Sequence, residues 1–133
     1  DTWYEIKTIN DGAIQLIISS LEQLESEDDG HLVVVRVNET SEANERSLNL
    51  NKMVLQITDL INDPEVLEEF RIKLDNVGYT LDPEYDNYNF VFKGTETYTV
   101  NDGFPRLRRS EVNEAIGNVK YTILLAGITD YKE

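Results

Sequence analysis

Leu32-Val33-Val34-Val35-Arg36-Val37 limits the possible folds more than any other stretch of this chain. Five of the six side chains are apolar and four are β-branched, which predicts a strand buried on both faces. Two helical patterns follow it. Leu50, Met53, Val54, Ile57, Leu60 and Ile61 recur on one face of a 3.6-residue period, as do Leu67, Phe70, Leu74 and Val77. Asn62-Asp63-Pro64 separates the two patterns, with Asp63 as N-cap and Pro64 at the first helical position. Gly78 supplies the stop. The expected unit is a helical hairpin laid against a sheet.

The remaining segments add strands. Residues 3–9 alternate, with Trp3, Glu5 and Lys7 on one side and Tyr4, Ile6 and Thr8 on the other. After the Asn10-Asp11-Gly12 turn, Ala13 to Ile18 reads as a second strand, pairing with the first as a hairpin. Ser19 to Glu25 reads as a short helix with a serine N-cap. Glu22 to Asp29 holds five acids and no base, and reads as a solvated helix end and loop. Asn89–Lys93 and Thr95–Val100 are expected as two strands joined at Gly94, and Val119–Leu125 as the closing strand. The fold class is therefore α/β: a mixed sheet with a short helix and a helical hairpin.

At 133 residues and 40% hydrophobic content, one core is expected, and residues 1–133 read as a single domain. No apolar run approaches the roughly 20 residues that cross a bilayer, so no membrane partner is expected. There is no cysteine and one histidine, which rules out thiolate and multi-histidine metal sites. A metal would need oxygen ligands, which suits Mg²⁺, Mn²⁺ or Ca²⁺. A cytoplasmic location fits. The net charge is −14, which repels nucleic acid at long range. The chain does not start with Met, and it is expected to be the C-terminal portion of a longer protein. A processed or engineered start is the plain alternative.

Glu5-Ile6-Lys7 is the feature closest to chemistry. On a strand, Glu5 and Lys7 share a face about 6–7 Å apart. A carboxylate binds a hard divalent cation, and a neighbouring ammonium holds an attacking water or offsets phosphate charge. The plain alternative is an exposed ion pair worth roughly 0.2–1 kcal/mol.

The surroundings carry more weight than the triplet. "WYEIKT", a turn, a strand with "ISSLEQLE", and the "LVVVRV" strand resemble the PD-(D/E)XK superfamily of restriction-endonuclease-like nucleases. "FPRLRRSEV" before the terminal "VKYTILL" is similar to the C-terminal half of bacterial PD-(D/E)XK-motif proteins. The resemblance implies a restriction-endonuclease-like core lacking its N-terminal elements. It implies a metal-dependent endonuclease, hydrolysing DNA phosphodiesters in restriction or phage defence, with Mg²⁺ or Mn²⁺ as cofactor and a homodimer as one assembly. It places Glu5 on the metal, Lys7 on the water or scissile phosphate, and Gln23 in support. The leading acid of the family pattern is missing, since Asp1 is too near Glu5 to lie on a separate strand. The isolated chain is therefore expected to be catalytically incomplete.

Arg106, Arg108 and Arg109 are candidates for phosphate contact, against a plain reading as salt-bridge partners. Phe104-Pro105 reads as a loop anchor and His31 as a solvated histidine. Tyr79, Tyr85 and Tyr88 could stack bases, or cover a core edge. Asp82, Glu84 and Asp86 hint at calcium, but the loop lacks the glycine and the closing glutamate of that motif. The charge keeps two other functions open: a non-catalytic acidic domain that binds a protein partner, and a DNA mimic that inhibits a nuclease.

Overall fold

The computed structural model describes residues 2–133. The strands are β1 (Trp3–Asn10), β2 (Gln15–Ile18), β3 (Gly30–Thr40), β4 (Asn89–Val100) and β5 (Tyr121–Leu124). The helices are α1 (Leu50–Leu60) and α2 (Pro64–Asn76). The chain divides into two compact units, residues 2–37 with 93–133, and residues 38–92. Strands and helices together make the architecture α/β, with a mixed sheet.

The first unit holds the sheet β1-β3-β4, with β3 in the middle. β1 and β3 run parallel, in register from Trp3 opposite Gly30 to Asn10 opposite Val37. A second, two-stranded sheet pairs β2 antiparallel with β5, from Gln15 opposite Leu124 to Ile18 opposite Tyr121. Alternation decides what lies inside. Leu16 and Ile18 of β2 and Ile123 of β5 point inward, onto Leu32 and Val34 of β3 and Val100 of β4. Leu24, Phe104, Leu125 and Ile128 complete this core. Burying each aliphatic side chain of this size contributes roughly 1.5–3 kcal/mol.

Four expectations need correction in this unit. β2 does not form a hairpin with β1. The inner edge of β1 is taken by β3, and the turn at Asn10–Ala13, closed by the Ala13 N–H on the Asn10 carbonyl, sends the chain on to β5. The helix expected over 19–25 shrinks to a single 3₁₀ turn, Leu21–Gln23, and the side chain of Ser20 does not cap it. The β3 run is not buried on both faces. Leu32 and Val34 are fully buried, whereas His31, Val33 and Val35 are half-exposed. On the same outer face, Tyr4 and Ile6 of β1 are more than 60% exposed. Finally, Gly94 does not split β4. It has a φ of +150°, which glycine alone tolerates, and the strand runs through it.

The second unit contains the helical hairpin. Asn49 caps α1, its side-chain oxygen accepting from the Lys52 N–H at 2.9 Å. Its amide nitrogen donates to Asn89 at 3.1 Å, and Asn89 donates to the Asp86 carbonyl at 2.7 Å. Both asparagines are buried. Asp63 caps α2 ahead of Pro64 as expected, and Gly78 beyond its end has a φ of +82°. Neither helix has a fully buried residue, so their apolar stripes are at most half-covered. The Tyr79 hydroxyl donates to Asn51, and its ring stacks on Tyr85. Tyr88 is exposed.

Candidate active site

The burial of β1 alternates along its whole length, and the covered side carries Trp3, Glu5, Lys7 and Ile9. Trp3 fixes the start of this face. Its indole N–H donates to the Asp28 carbonyl at 2.9 Å, and its ring lies over Gly30, its partner on β3. A Cβ on Gly30 would come within 2.1 Å of the indole, so only glycine fits there.

Glu5 and Lys7 follow, opposite Leu32 and Val34. The Lys7 ammonium lies 3.5 Å from the Glu5 carboxylate, and the two side chains are only 15% and 24% exposed. This is not the fully exposed sheet-face pair of the plain alternative. The shorter contact is to Gln23, whose Oε1 accepts from Lys7 Nζ at 2.6 Å. The same oxygen accepts the Ser19 backbone N–H at 2.9 Å. Two donors on one oxygen set the orientation of the Gln23 amide. Glu5, Lys7 and Gln23, singled out from the sequence, therefore meet in space. Among the described residues the Lys7 ammonium has Gln23 as hydrogen-bond partner and Glu5 as ion-pair partner, and with three N–H donors it can still aim one at an incoming oxygen.

A metal fits this arrangement poorly as it stands. Glu5 brings one carboxylate, and among the described residues no three acids or histidines gather into a metal-binding group. On a single protein carboxylate, Mg²⁺ would depend on water and phosphate oxygens for all its other ligands.

Each of the three arginines has a partner within the chain. Arg106 is buried and donates from Nη1 to the Leu24 carbonyl at 2.6 Å. Burial holds its pKa below the ordinary arginine value, with Arg108 adding to the effect. Arg108 pairs with Asp102 at 2.8 Å, and this hydrogen bond raises the pKa of Arg108 and lowers that of Asp102. Arg109 donates to the carbonyls of Gly117, Asn113 and Ile116. Phe104 is buried edge-on against Tyr131, which makes Phe104-Pro105 a loop anchor. A shallow groove of about 530 Å³ runs beside this loop along β5, lined by Pro105, Leu107 and Tyr121–Leu124 among others.

His31 differs from its expectation. It is half-buried, stacks on Tyr4 with ring centroids 4.9 Å apart, and contacts the Glu133 carboxylate. Asp82 and Asp86 serve the second unit internally, one capping a 3₁₀ turn and the other accepting from Asn51.

Two features escaped the sequence reading. One is the role of Ser19, whose backbone rather than hydroxyl is used; the i, i+4 spacing of Ser19 and Gln23 was the available signal. The other is a network in which Arg36 donates to Glu96 at 2.6 Å and Tyr98 donates to the second oxygen of that carboxylate at 2.6 Å. Arg36 also reaches the carbonyls of Asp11 and Ala13 and so closes the turn after β1. Arg36 lies 60 positions from Glu96, which hides the network from spacing.

Residues 2–126 match a family model described as "Putative PD-(D/E)XK family member, (DUF4420)". Neither a curated protein nor a solved structure matches the chain.

Proposed function

From a chain that belongs to the DUF4420 family of PD-(D/E)XK proteins, we propose a share in phosphodiester hydrolysis: this chain carries the E-x-K half of the active site of a DNA endonuclease. The observation that supports this is the half-buried Glu5–Lys7 pair, with Lys7 held by Gln23. Lys7 keeps a donor for a phosphate oxygen or an attacking water, where a fixed positive charge stabilises the charge that develops on the phosphate. Gln23 limits the motion of that charge, and orientation of this kind lowers the barrier. Glu5 holds a carboxylate beside it. A divalent metal, Mg²⁺ or Mn²⁺, would activate water when bound. Beyond Glu5 it would draw on a further acid, water and phosphate oxygens for its ligands. The reading extends to restriction or phage defence in the cytoplasm, with DNA engaged by the complete protein.

The test is cleavage of plasmid DNA by the complete parent protein with Mg²⁺ or Mn²⁺, beside Lys7→Ala. Cleavage that falls by about 10²-fold or more in a folded Lys7→Ala protein supports the reading. Equal cleavage by both proteins, or none from either with any metal, sinks it.

One observation favours a second reading, a protein-interaction role. Leu60, Val77 and Leu81 in the second unit are each about 80% exposed, and the chain has a net charge of −14. Large exposed apolar side chains on an acidic protein suit a protein partner better than nucleic acid.

A further inference from the structure

Lys7 is held by Gln23, so the position of Gln23 needs its own explanation. Gln23 ends a 3₁₀ turn of three residues. A turn this short cannot fix its own geometry. The backbone bond that closes it, from the Leu24 N–H to the Leu21 carbonyl, is 3.3 Å long. Beyond the burial of Leu21 and Leu24, two ties reach the turn from a distant part of the sequence. The Leu24 carbonyl accepts from Arg106 Nη1 across 82 positions, at 2.6 Å. The Glu25 carboxylate accepts the Arg109 backbone N–H across 84 positions, at 2.8 Å.

Arg106 is an expensive way to fill its site. It is buried, and among the described residues it forms no salt bridge and its Nε has no hydrogen-bond partner, with Asp102 and Asp29 acting on it only through space. A buried guanidinium with an unsatisfied N–H is less favourable than an apolar side chain of similar volume. What arginine supplies and methionine cannot is the short, charge-assisted bond to the Leu24 carbonyl, one residue beyond Gln23.

We propose that Arg106 is a positioning residue for the candidate active site: through the Leu24 carbonyl it holds the turn that carries Gln23, and through Gln23 it sets the Lys7 ammonium. The Arg109–Glu25 tie is a weaker second hold on the same turn. The catalytic meaning of this clamp rests on the endonuclease reading above; the clamp itself does not.

The experiment uses the complete protein in six forms: wild type, Gln23→Ala, Arg106→Met, the double variant Gln23→Ala/Arg106→Met, Arg106→Lys and Glu25→Ala. The first readout is the Lys7 side-chain ammonium resonance in ¹⁵N-lysine-labelled protein, assigned with Lys7→Arg. Arg106→Met should move the signal to its position in Gln23→Ala. Arg106→Lys should move it part of the way, and Glu25→Ala should cause a smaller shift in the same direction. A Lys7 signal unchanged in folded Arg106→Met overturns the proposal. If Arg106→Met does not fold, Arg106→Lys and the surface variant Glu25→Ala decide in the same way.

The second readout is kcat for plasmid cleavage. Arg106→Met should lower it about tenfold, but by no more than about twofold when Gln23 is already alanine, because residues acting through one another are non-additive. Independent, multiplying losses overturn the proposal. If no form cleaves DNA, the endonuclease reading fails, and the Lys7 resonance still decides whether the clamp exists.

Discussion

At the scale of single residues, the candidate site depends on what lies beneath its side chains as much as on the side chains themselves. Gly30 accepts the Trp3 indole, and Trp3 opens the face on which Glu5 and Lys7 stand. Gly30→Ala would push a Cβ into the ring, so the indole must shift from the position in which it bonds to the Asp28 carbonyl. We expect a loss of about 1–3 kcal/mol in urea unfolding. The emission of Trp3, the single tryptophan, should also shift to the red. The meeting of Glu5, Lys7 and Gln23 was partly legible in the sequence. Period-two alternation puts the first two on one face. Gln23 came from resemblance alone, because no local rule links a strand lysine to a glutamine sixteen residues on. The arginines show the opposite case. Their clustering suggested phosphate contact or salt bridges; Arg108 does pair with Asp102, while the carbonyls of Leu24, Gly117 and Ile116 that engage Arg106 and Arg109 carry no side-chain signature.

At the scale of elements, the helices were read well because their signals are local. Asp63, Pro64 and Gly78 act where the pattern placed them. Strand partners were read less well, because pairing is a long-range choice. Nothing in Ala13–Ile18 says that its partner is residues 121–124 rather than the strand just before it. Gly94 misled for a related reason: glycine marks both a break and a strand that must twist through an unusual φ. The cap of α1 also escaped the pattern, and it carries more than a cap's usual load. Asn49 closes the helix and bonds to buried Asn89. Asn49→Ala should therefore cost about 1–2 kcal/mol of stability, at the upper end for a lost cap, because the Asn89 oxygen is left unpaired. Asp63→Ala, at an exposed cap, should cost less. Parallel denaturant titrations of the two variants check the order.

At the scale of the whole molecule, acid and base should both weaken the fold, through one network. The Glu96 carboxyl is held below the usual carboxylate value, first by the Arg36 hydrogen bond and then by that from Tyr98. A depressed pKa means stability that is complete at neutral pH and lost as pH falls through the acid range. The Tyr98 phenol is pushed up to about 12, by burial first and then by its bond to Glu96. That contribution is complete below about 10, the ordinary tyrosine value, and is lost as pH rises towards 12. Melting temperature against pH should therefore show a plateau with two falling limbs. Glu96→Gln should lower the plateau and flatten the acid limb.

β3 and β4 lie side by side, and the whole of residues 41–88 is threaded between the end of one and the start of the other. In evolutionary terms this is a cassette. A segment that leaves a sheet and returns to the neighbouring strand can be lengthened, trimmed or exchanged without rethreading anything else. The strand that carries Glu5 and Lys7 lies outside it, so a change of length in the cassette leaves β1 and its register with β3 as they are.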